Sequence, residues 1–171
     1  ALTTIGAPAP SPGGQGIEFA KQMLAEGRPD LAQQALSALV EEEPDNKEAR
    51  ITLAKMLFPQ DPKVALALVE GWSEEDPGSD AVEAMKQLDE ILQASVPQNS
   101  SEAAGLFLAG VECFQRSNLP GAAENWVELV RTDRAFLEDI GRRACVALFV
   151  VLGSEHPVTD EYRRSLSVIL F

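Results

Sequence analysis

The sequence contains few of the side chains that catalysis and metal binding use most. It has one histidine and two cysteines in 171 residues, which leaves little material for a zinc site or a catalytic centre. Cys113 and Cys145 each stand alone, so a thioredoxin-like CxxC pair and a zinc knuckle are both excluded for this chain. Their apolar neighbours indicate small core side chains with free thiols, although spacing alone does not exclude a disulfide or a redox-sensing thiol.

Sequence signatures of enzymes are missing as well. The histidine, His156, precedes Pro157 in a stretch that is typical of a loop between two helices. No residue near it in the sequence suggests a nucleophile or a second metal ligand. The glycine-rich signatures of dinucleotide, phosphate-loop and hydrolase sites do not occur. We therefore expect no enzyme, no cofactor and no metal site.

Positive charge and long apolar runs are also scarce. Lys and Arg number 14 against 27 Asp and Glu, which gives a net charge of −13. Because phosphate recognition depends on clusters of Lys and Arg, this balance argues against nucleic acid and against an anionic membrane surface as partners. No apolar run reaches the ~18 residues of a membrane span, since the longest is residues 144–152.

The chain opens with a segment unlike the rest. Residues 1–15 are rich in Pro, Gly, Ala and Ser and lack the basic and apolar blocks of a secretory signal. This composition predicts an extended, mobile linker, such as would follow a domain that precedes it in a longer protein. Residues 16–171 show apolar positions at helical spacing and no strand-like alternation, which predicts an all-α domain.

A spacing pattern repeats along this domain. Each copy has a small residue, larger residues at +4 and +7, and in the first two copies a proline at +12. The copies are Ala32, Leu36, Leu39 and Pro44; Ala65, Val69, Trp72 and Pro77; and Ala122, Trp126 and Leu129. A further small residue lies 11 or 12 positions before each copy, at Ala20, Ala54 and Gly110. Such spacing is typical of two antiparallel helices that approach closely at their small residues.

The repeat resembles the tetratricopeptide repeat (TPR), which has a period of about 34 residues. The resemblance implies an all-α solenoid of antiparallel helix hairpins, with about 8 helices and a C-terminal capping helix. The match is degenerate, because Met23, Met56 and Cys113 stand at aromatic positions of the first helix of the repeat. We interpret the methionines as core residues; the alternative is that they give a client-binding groove adaptable contacts.

The later segments fit the repeat less regularly. A helix is predicted over residues 80–95 without a partner helix of its own. Two more helices follow Arg134. The first, residues 136–152, is apolar nearly all round in its second half and is therefore predicted to be buried. The second is predicted to start at Thr159 as its N-cap, with an apolar stripe that contains Tyr162, Leu166, Ile169 and Leu170.

The end of the chain carries a more specific pattern. It includes Gly141-Arg142-Arg143-Ala144-Cys145, His156-Pro157 and Glu161-Tyr162-Arg163-Arg164-Ser165-Leu166. This pattern resembles the C-terminal region of YbbN-type bacterial proteins, which combine a thioredoxin-like domain, a linker and a TPR-like domain. The resemblance implies a non-catalytic interaction module of a cytoplasmic, redox-linked bacterial co-chaperone. It would bind unfolding client proteins, chaperone partners or both.

The thioredoxin-like domain of that family has no counterpart among these residues, so any redox activity would lie outside this chain. The alternative function is a generic TPR scaffold or self-association domain with no link to redox chemistry. A thioredoxin-like coding region upstream in the parent gene would favour the first interpretation.

Two sets of residues are candidates for binding partners. The first set is basic: Arg142, Arg143, Arg163 and Arg164. These arginines form a patch for an acidic partner if the last two helices pair; the alternative is that they pair with Glu138, Asp139, Asp160 and Glu161 of their own helices. The second set is apolar: Leu166, Ile169, Leu170 and Phe171. These residues either cap the preceding helix or enter a groove on a chaperone partner.

Overall fold

The fold consists of helices and turns throughout the part of the chain that the structure describes. The computed structural model describes residues 12–97 and 101–171 and contains no β-strand in those ranges. The helices found there are α1 (Pro12–Ala25), α2 (Pro29–Glu42), α3 (Lys47–Leu57), α4 (Pro62–Leu68), α5 (Ser79–Leu92), α6 (Glu102–Gln115), α7 (Leu119–Thr132), α8 (Ile140–Leu152) and α9 (Pro157–Leu170). The predicted all-α class is confirmed. None of these helices is long and apolar enough to cross a membrane.

The first compact unit, described from residue 12 to residue 53, is built on the α1–α2 hairpin. Gly27 takes a positive φ of 72° at the end of α1, a conformation that glycine adopts without steric cost. Pro29 then starts α2, where its missing N–H is not needed. The crossing is lined by Ala20 and Ala32, both completely buried. These small residues allow the two backbones to approach, as the repeat spacing predicts.

The predicted linker is only partly within the described residues. Its first part, residues 1–11, lies outside them. Helix α1 begins at Pro12, so residues 12–15, which the sequence places in the linker, are helical here.

The second unit, residues 54–171, has the α6–α7 hairpin at its centre. Ser101 caps α6 by accepting a hydrogen bond from the backbone N–H of Ala104 at 3.1 Å. The fully buried Trp126 of α7 packs directly on Gly110 of α6. Its ring stacks on Phe114 with centroids 6.4 Å apart, and Phe114 meets Phe58 edge to face at 6.0 Å. These three aromatic rings form a continuous row in the core.

Helix α8 is the most enclosed element of the second unit. It packs against α5, α7 and α9, which explains why apolar residues occur nearly all round its second half. Helix α9 packs against both α7 and α8 and buries Val158 and Leu166 there. The sequence predicted α5 without a partner helix, and the structure supplies one: α5 packs on α8, more than forty residues further along the chain.

The last two helices begin at positions other than those predicted. Helix α8 starts at Ile140 instead of residue 136, because Leu137, Glu138 and Asp139 have positive φ values of 45°, 56° and 63°. A right-handed helix cannot pass through such residues. Helix α9 starts at Pro157, with His156 as the N-cap in place of Thr159.

The second helix of the second predicted repeat copy is shorter than the spacing of that copy suggests. Helix α4 has seven residues and ends at Leu68, so Trp72 lies beyond the helix. Gly71, with a φ of 75°, turns the chain there. The indole N–H of Trp72 donates to the backbone oxygen of Pro77 at 3.1 Å. Trp72 therefore closes a turn, whereas its counterpart Trp126 fills the core.

Candidate partner-binding surface

A groove that could hold part of another molecule runs between α8 and α9. Its volume is about 420 Å³. Helix α8 supplies Val146 and Phe149, and α9 supplies Leu166 and Leu170. The wall also includes Val150, Gly153, Ser154, Thr159, Arg163 and Ser167, with Lys55 of α3 and Asp80 of α5. The groove thus combines an apolar floor with charged and hydroxyl groups.

The apolar floor is open to solvent at Val146. This side chain exposes 43% of its surface, whereas its neighbours Ala147 and Leu148 are buried. Val146 lies inside the run of apolar residues that predicts a buried helix, so the sequence gives no sign that it faces outward. Its exposure follows from the position of α9, which covers only part of α8.

The charged residues of the groove are mostly cationic. Lys55 and Arg163 both line it, together with one acidic side chain, Asp80. In the described part of the chain neither cation makes an ion pair within 4 Å, whereas the next residue, Arg164, pairs with Asp160. The lining therefore has a net charge of +1 on a chain whose net charge is −13. Two cations without an ion pair, beside apolar side chains, favour an anionic, partly apolar ligand.

A buried hydroxyl lies in the same wall. Thr159 is 1% exposed, and its Oγ1 has no hydrogen-bond partner among the described residues. Most buried polar groups in proteins are hydrogen-bonded, because an unpaired one costs about 1–3 kcal/mol. The sequence placed Thr159 at an N-cap, where its hydroxyl would be satisfied by the helix. In the structure His156 occupies that position, and the hydroxyl is left unpaired.

The four predicted arginines do not come together as one patch. Arg142 bonds through Nε to Asp139, three residues earlier. Arg164 donates through Nη2 to both carboxylate oxygens of Asp160 at 2.7 Å. For these two, the predicted alternative of pairing with an acidic residue nearby in the sequence describes the structure. The patch is absent because each finds an acidic partner close by on its own chain segment.

The other two arginines line different grooves. Arg143 lies with Glu90 of α5 and Glu138 in a groove near the start of α8. Arg163 lies in the α8–α9 groove, which is formed by the second half of α8. Only Arg163 of the predicted basic set is therefore in position to act together with the apolar residues of α9.

The predicted apolar residues of α9 divide by exposure. Leu166 is buried against the neighbouring helices, Ile169 and Leu170 are half-buried, and Phe171 is fully exposed. Leu166 therefore caps the preceding helices, whereas Leu170 and Phe171 remain accessible to a partner. Sequence analysis missed Val168, which is 82% exposed. Val168 lies outside the predicted apolar stripe. An apolar residue on the otherwise polar side of the helix could have indicated that it is exposed.

The sulfur and imidazole groups give no second site. Both cysteines are free thiols, and burial raises the pKa of Cys145 to about 12, so its thiol stays protonated at neutral pH. Burial lowers the pKa of His156, whose neutral Nδ1 accepts from the N–H of Val158 at 3.2 Å. No group of three or more His, Cys, Asp or Glu among the described residues is placed to hold a metal ion.

Comparison with protein families identifies the class of the chain. One family profile of the tetratricopeptide repeat matches residues 82–171, and another matches residues 23–88. Because the first covers more than half of the sequence, the chain belongs to the tetratricopeptide repeat family. The TPR-like fold inferred from the spacing is therefore confirmed. A search of curated proteins and a search of solved structures each gave no match.

Membership of this family sets the general function. TPR domains are typically non-catalytic scaffolds that mediate protein–protein interaction, because stacked helix pairs present an extended binding surface. The partners of this chain are therefore expected among proteins. The family matches do not bear on the co-chaperone resemblance, which stays a prediction.

Proposed function

We propose that this chain is the protein-interaction module of a thioredoxin-fold co-chaperone in the bacterial cytoplasm. It binds unfolding client proteins, chaperone partners or both, and it performs no chemistry itself. Any thiol chemistry belongs to a thioredoxin-like domain outside this chain. The co-chaperone context rests on the resemblance of residues 141–171, and the binding function rests on the TPR family and on the surface formed by α8 and α9.

The observation that carries this proposal is the set of accessible apolar side chains on α8 and α9. Val146 of α8 and Val168 and Phe171 of α9 are all exposed. Leu170 lines the groove between these two helices. Exposed apolar side chains are typical of protein-binding surfaces, and they suit clients whose own apolar residues are uncovered.

A test of client binding is suppression of aggregation. A chemically unfolded model enzyme is diluted into buffer that contains the full chain, and light scattering follows its aggregation. We expect the wild-type chain to reduce scattering at near-stoichiometric ratios. The double variant Val168→Ser/Phe171→Ser should lose most of this effect, because it removes two exposed apolar groups of α9 without touching the buried Leu166.

The control is Leu108→Ser, which changes an exposed apolar residue on α6. This variant should suppress aggregation as the wild type does. A wild-type chain without effect on aggregation, or equal losses in the double variant and the control, would contradict the proposed role of α9. Sedimentation of the same samples tests the competing scaffold function, since a self-association domain gives a mass that rises with concentration.

A further inference from the structure

We infer that the α8–α9 groove binds an acidic peptide segment of a partner protein, in which a large apolar side chain is accompanied by carboxylates. The apolar side chain would lie on Val146 and Leu170, and the carboxylates would face Lys55 and Arg163. This inference deepens the proposed function and rests on it. Its evidence is separate from the evidence for the proposed function, because it comes from the residues that line one groove.

The size of the groove limits the occupant to a short segment. A volume of about 420 Å³ is at the lower end of the range of about 300–1,000 Å³ that holds drug-sized ligands. It accommodates one or two side chains and the backbone that carries them. Val146, Val150 and Leu170 make part of its surface apolar, so desolvating an apolar side chain against them contributes favourable free energy.

The charges of the groove indicate that the rest of the bound segment is acidic. The chain has 27 acidic and 14 basic residues, and Arg142 and Arg164 are already paired with carboxylates. Lys55 and Arg163 differ from these, because they share one groove and make no ion pair in the described part of the chain. Asp80 is the single acidic residue of the lining. A carboxylate of the ligand would therefore find two cations within reach.

The unpaired hydroxyl of Thr159 is a further polar group of the residues that line the groove. It is buried, belongs to the groove wall and has no partner among the described residues of the free chain. Because Oγ1 is closed to solvent in the free chain, a peptide group would pair with it only if the wall rearranges on binding. A site used only for packing would gain stability from valine at this position, since valine has nearly the same shape and no polar group to leave unpaired.

The probe for the test is a library of random dodecapeptides displayed on phage and selected against the full chain. We expect the recovered sequences to contain Asp or Glu within two residues of Leu, Phe or Trp. The most enriched peptide is then synthesised with a fluorophore, and its affinity is measured by fluorescence anisotropy. Its affinity should fall as ionic strength rises, because the contacts with Lys55 and Arg163 are screened by salt.

Variants locate the binding site. Arg163→Glu should weaken binding of the peptide by about fivefold or more, and Lys55→Glu should act in the same direction. Arg164→Glu is the matched control: it makes the same change at the next residue, whose guanidinium is already occupied by Asp160. It should leave the affinity within about twofold of the wild type, apart from a weak long-range effect of charge. Circular dichroism checks that each variant is folded.

The variant Thr159→Val separates ligand binding from packing. We expect it to weaken peptide binding by about threefold to tenfold, the usual worth of one hydrogen bond, while the melting temperature of the free chain stays equal or rises. A structural role alone would leave the affinity unchanged. Unaltered affinity together with higher stability would therefore remove Thr159 from the proposed contacts.

Several results would overturn the inference. These are recovery of basic or uncharged peptides, recovery of no peptide at all, or equal affinities for the Arg163→Glu and Arg164→Glu variants. Self-association that is lost in Arg163→Glu would assign the groove to a second copy of this chain. If the wild-type chain still suppresses aggregation in any of these cases, the proposed function stands and the groove inference alone fails.

Discussion

Replacing Gly110 by alanine tests the closest helix crossing in the second unit. A Cβ atom added to Gly110 would lie 2.5 Å from Cδ1 and 2.9 Å from Cε2 of Trp126, and closer still to its Nε1. Real Cβ atoms do not approach other heavy atoms so closely, so one of the two helices must shift. The indole cannot turn aside easily, because it is fully buried and stacks on Phe114.

The size of the effect follows from two opposing contributions. Alanine is a better helix former than glycine by about 1 kcal/mol. Overpacking of a buried site costs about 1–3 kcal/mol, and the upper end applies here because the rigid Trp126 ring is the obstacle. We therefore expect Gly110→Ala to lower the free energy of unfolding by about 2 kcal/mol, which corresponds to a fall of about 4–8 °C in melting temperature.

Gly105 provides the control, since it lies in the same helix and a Cβ atom added there would meet nothing within 4 Å. Gly105→Ala should raise the stability by up to about 1 kcal/mol through helix propensity alone. Urea unfolding followed by circular dichroism measures both variants. The double variant Gly110→Ala/Trp126→Phe should recover part of the loss, because the smaller ring vacates the contact. Equal stabilisation by both alanines would refute the close packing of α6 and α7.

Three further predictions concern capping and thiols. His156→Asn should keep the N-cap of α9 and remove a pH dependence of the free energy of unfolding. Because burial lowers the pKa of His156 from its usual 6.5, the stabilising contribution of the neutral imidazole is complete above pH 6.5. This contribution is lost as pH falls toward the pKa of the folded state. Ser101→Ala should lower the stability by about 1 kcal/mol, since the bond to the N–H of Ala104 is lost. In the native chain a thiol reagent should react with the half-buried Cys113 and spare Cys145, whose pKa of about 12 keeps it protonated.

Each of these predictions has a result that contradicts it. For His156 the measurement is urea unfolding between pH 5 and pH 8, and equal pH profiles of wild type and variant would show that this residue does not titrate with folding. For Ser101 the control is Ser101→Thr, which keeps a capping hydroxyl and should stay close to the wild type. For the thiols, equal rates of modification would show that Cys145 is not enclosed, and unfolding in denaturant should make both react.

The positions of most helices were predictable because helix formation is largely local. Apolar residues at a period of 3.6 and the small residues of the repeat indicated the α1–α2 and α6–α7 hairpins, although α1 begins at Pro12, inside the predicted linker. The small residues Ala20, Ala32 and Gly110 also predicted where helices cross, since a close approach requires a small side chain on at least one partner. Local signals were less informative for α8, because residues 137–139 adopt the left-handed conformation without a glycine that would indicate it.

The candidate site was decided by tertiary structure. Arg142 and Arg143 are neighbours in the sequence, yet one pairs with Asp139 and the other lines a groove beside α5. Arg163 meets Lys55, more than a hundred residues earlier in the chain, at a single groove. Periodicity specifies which face of a helix is apolar, but it carries no information about which distant helix covers that face. The sequence alone thus determined the helices and the TPR class, and packing determined which side chains remained accessible to a partner.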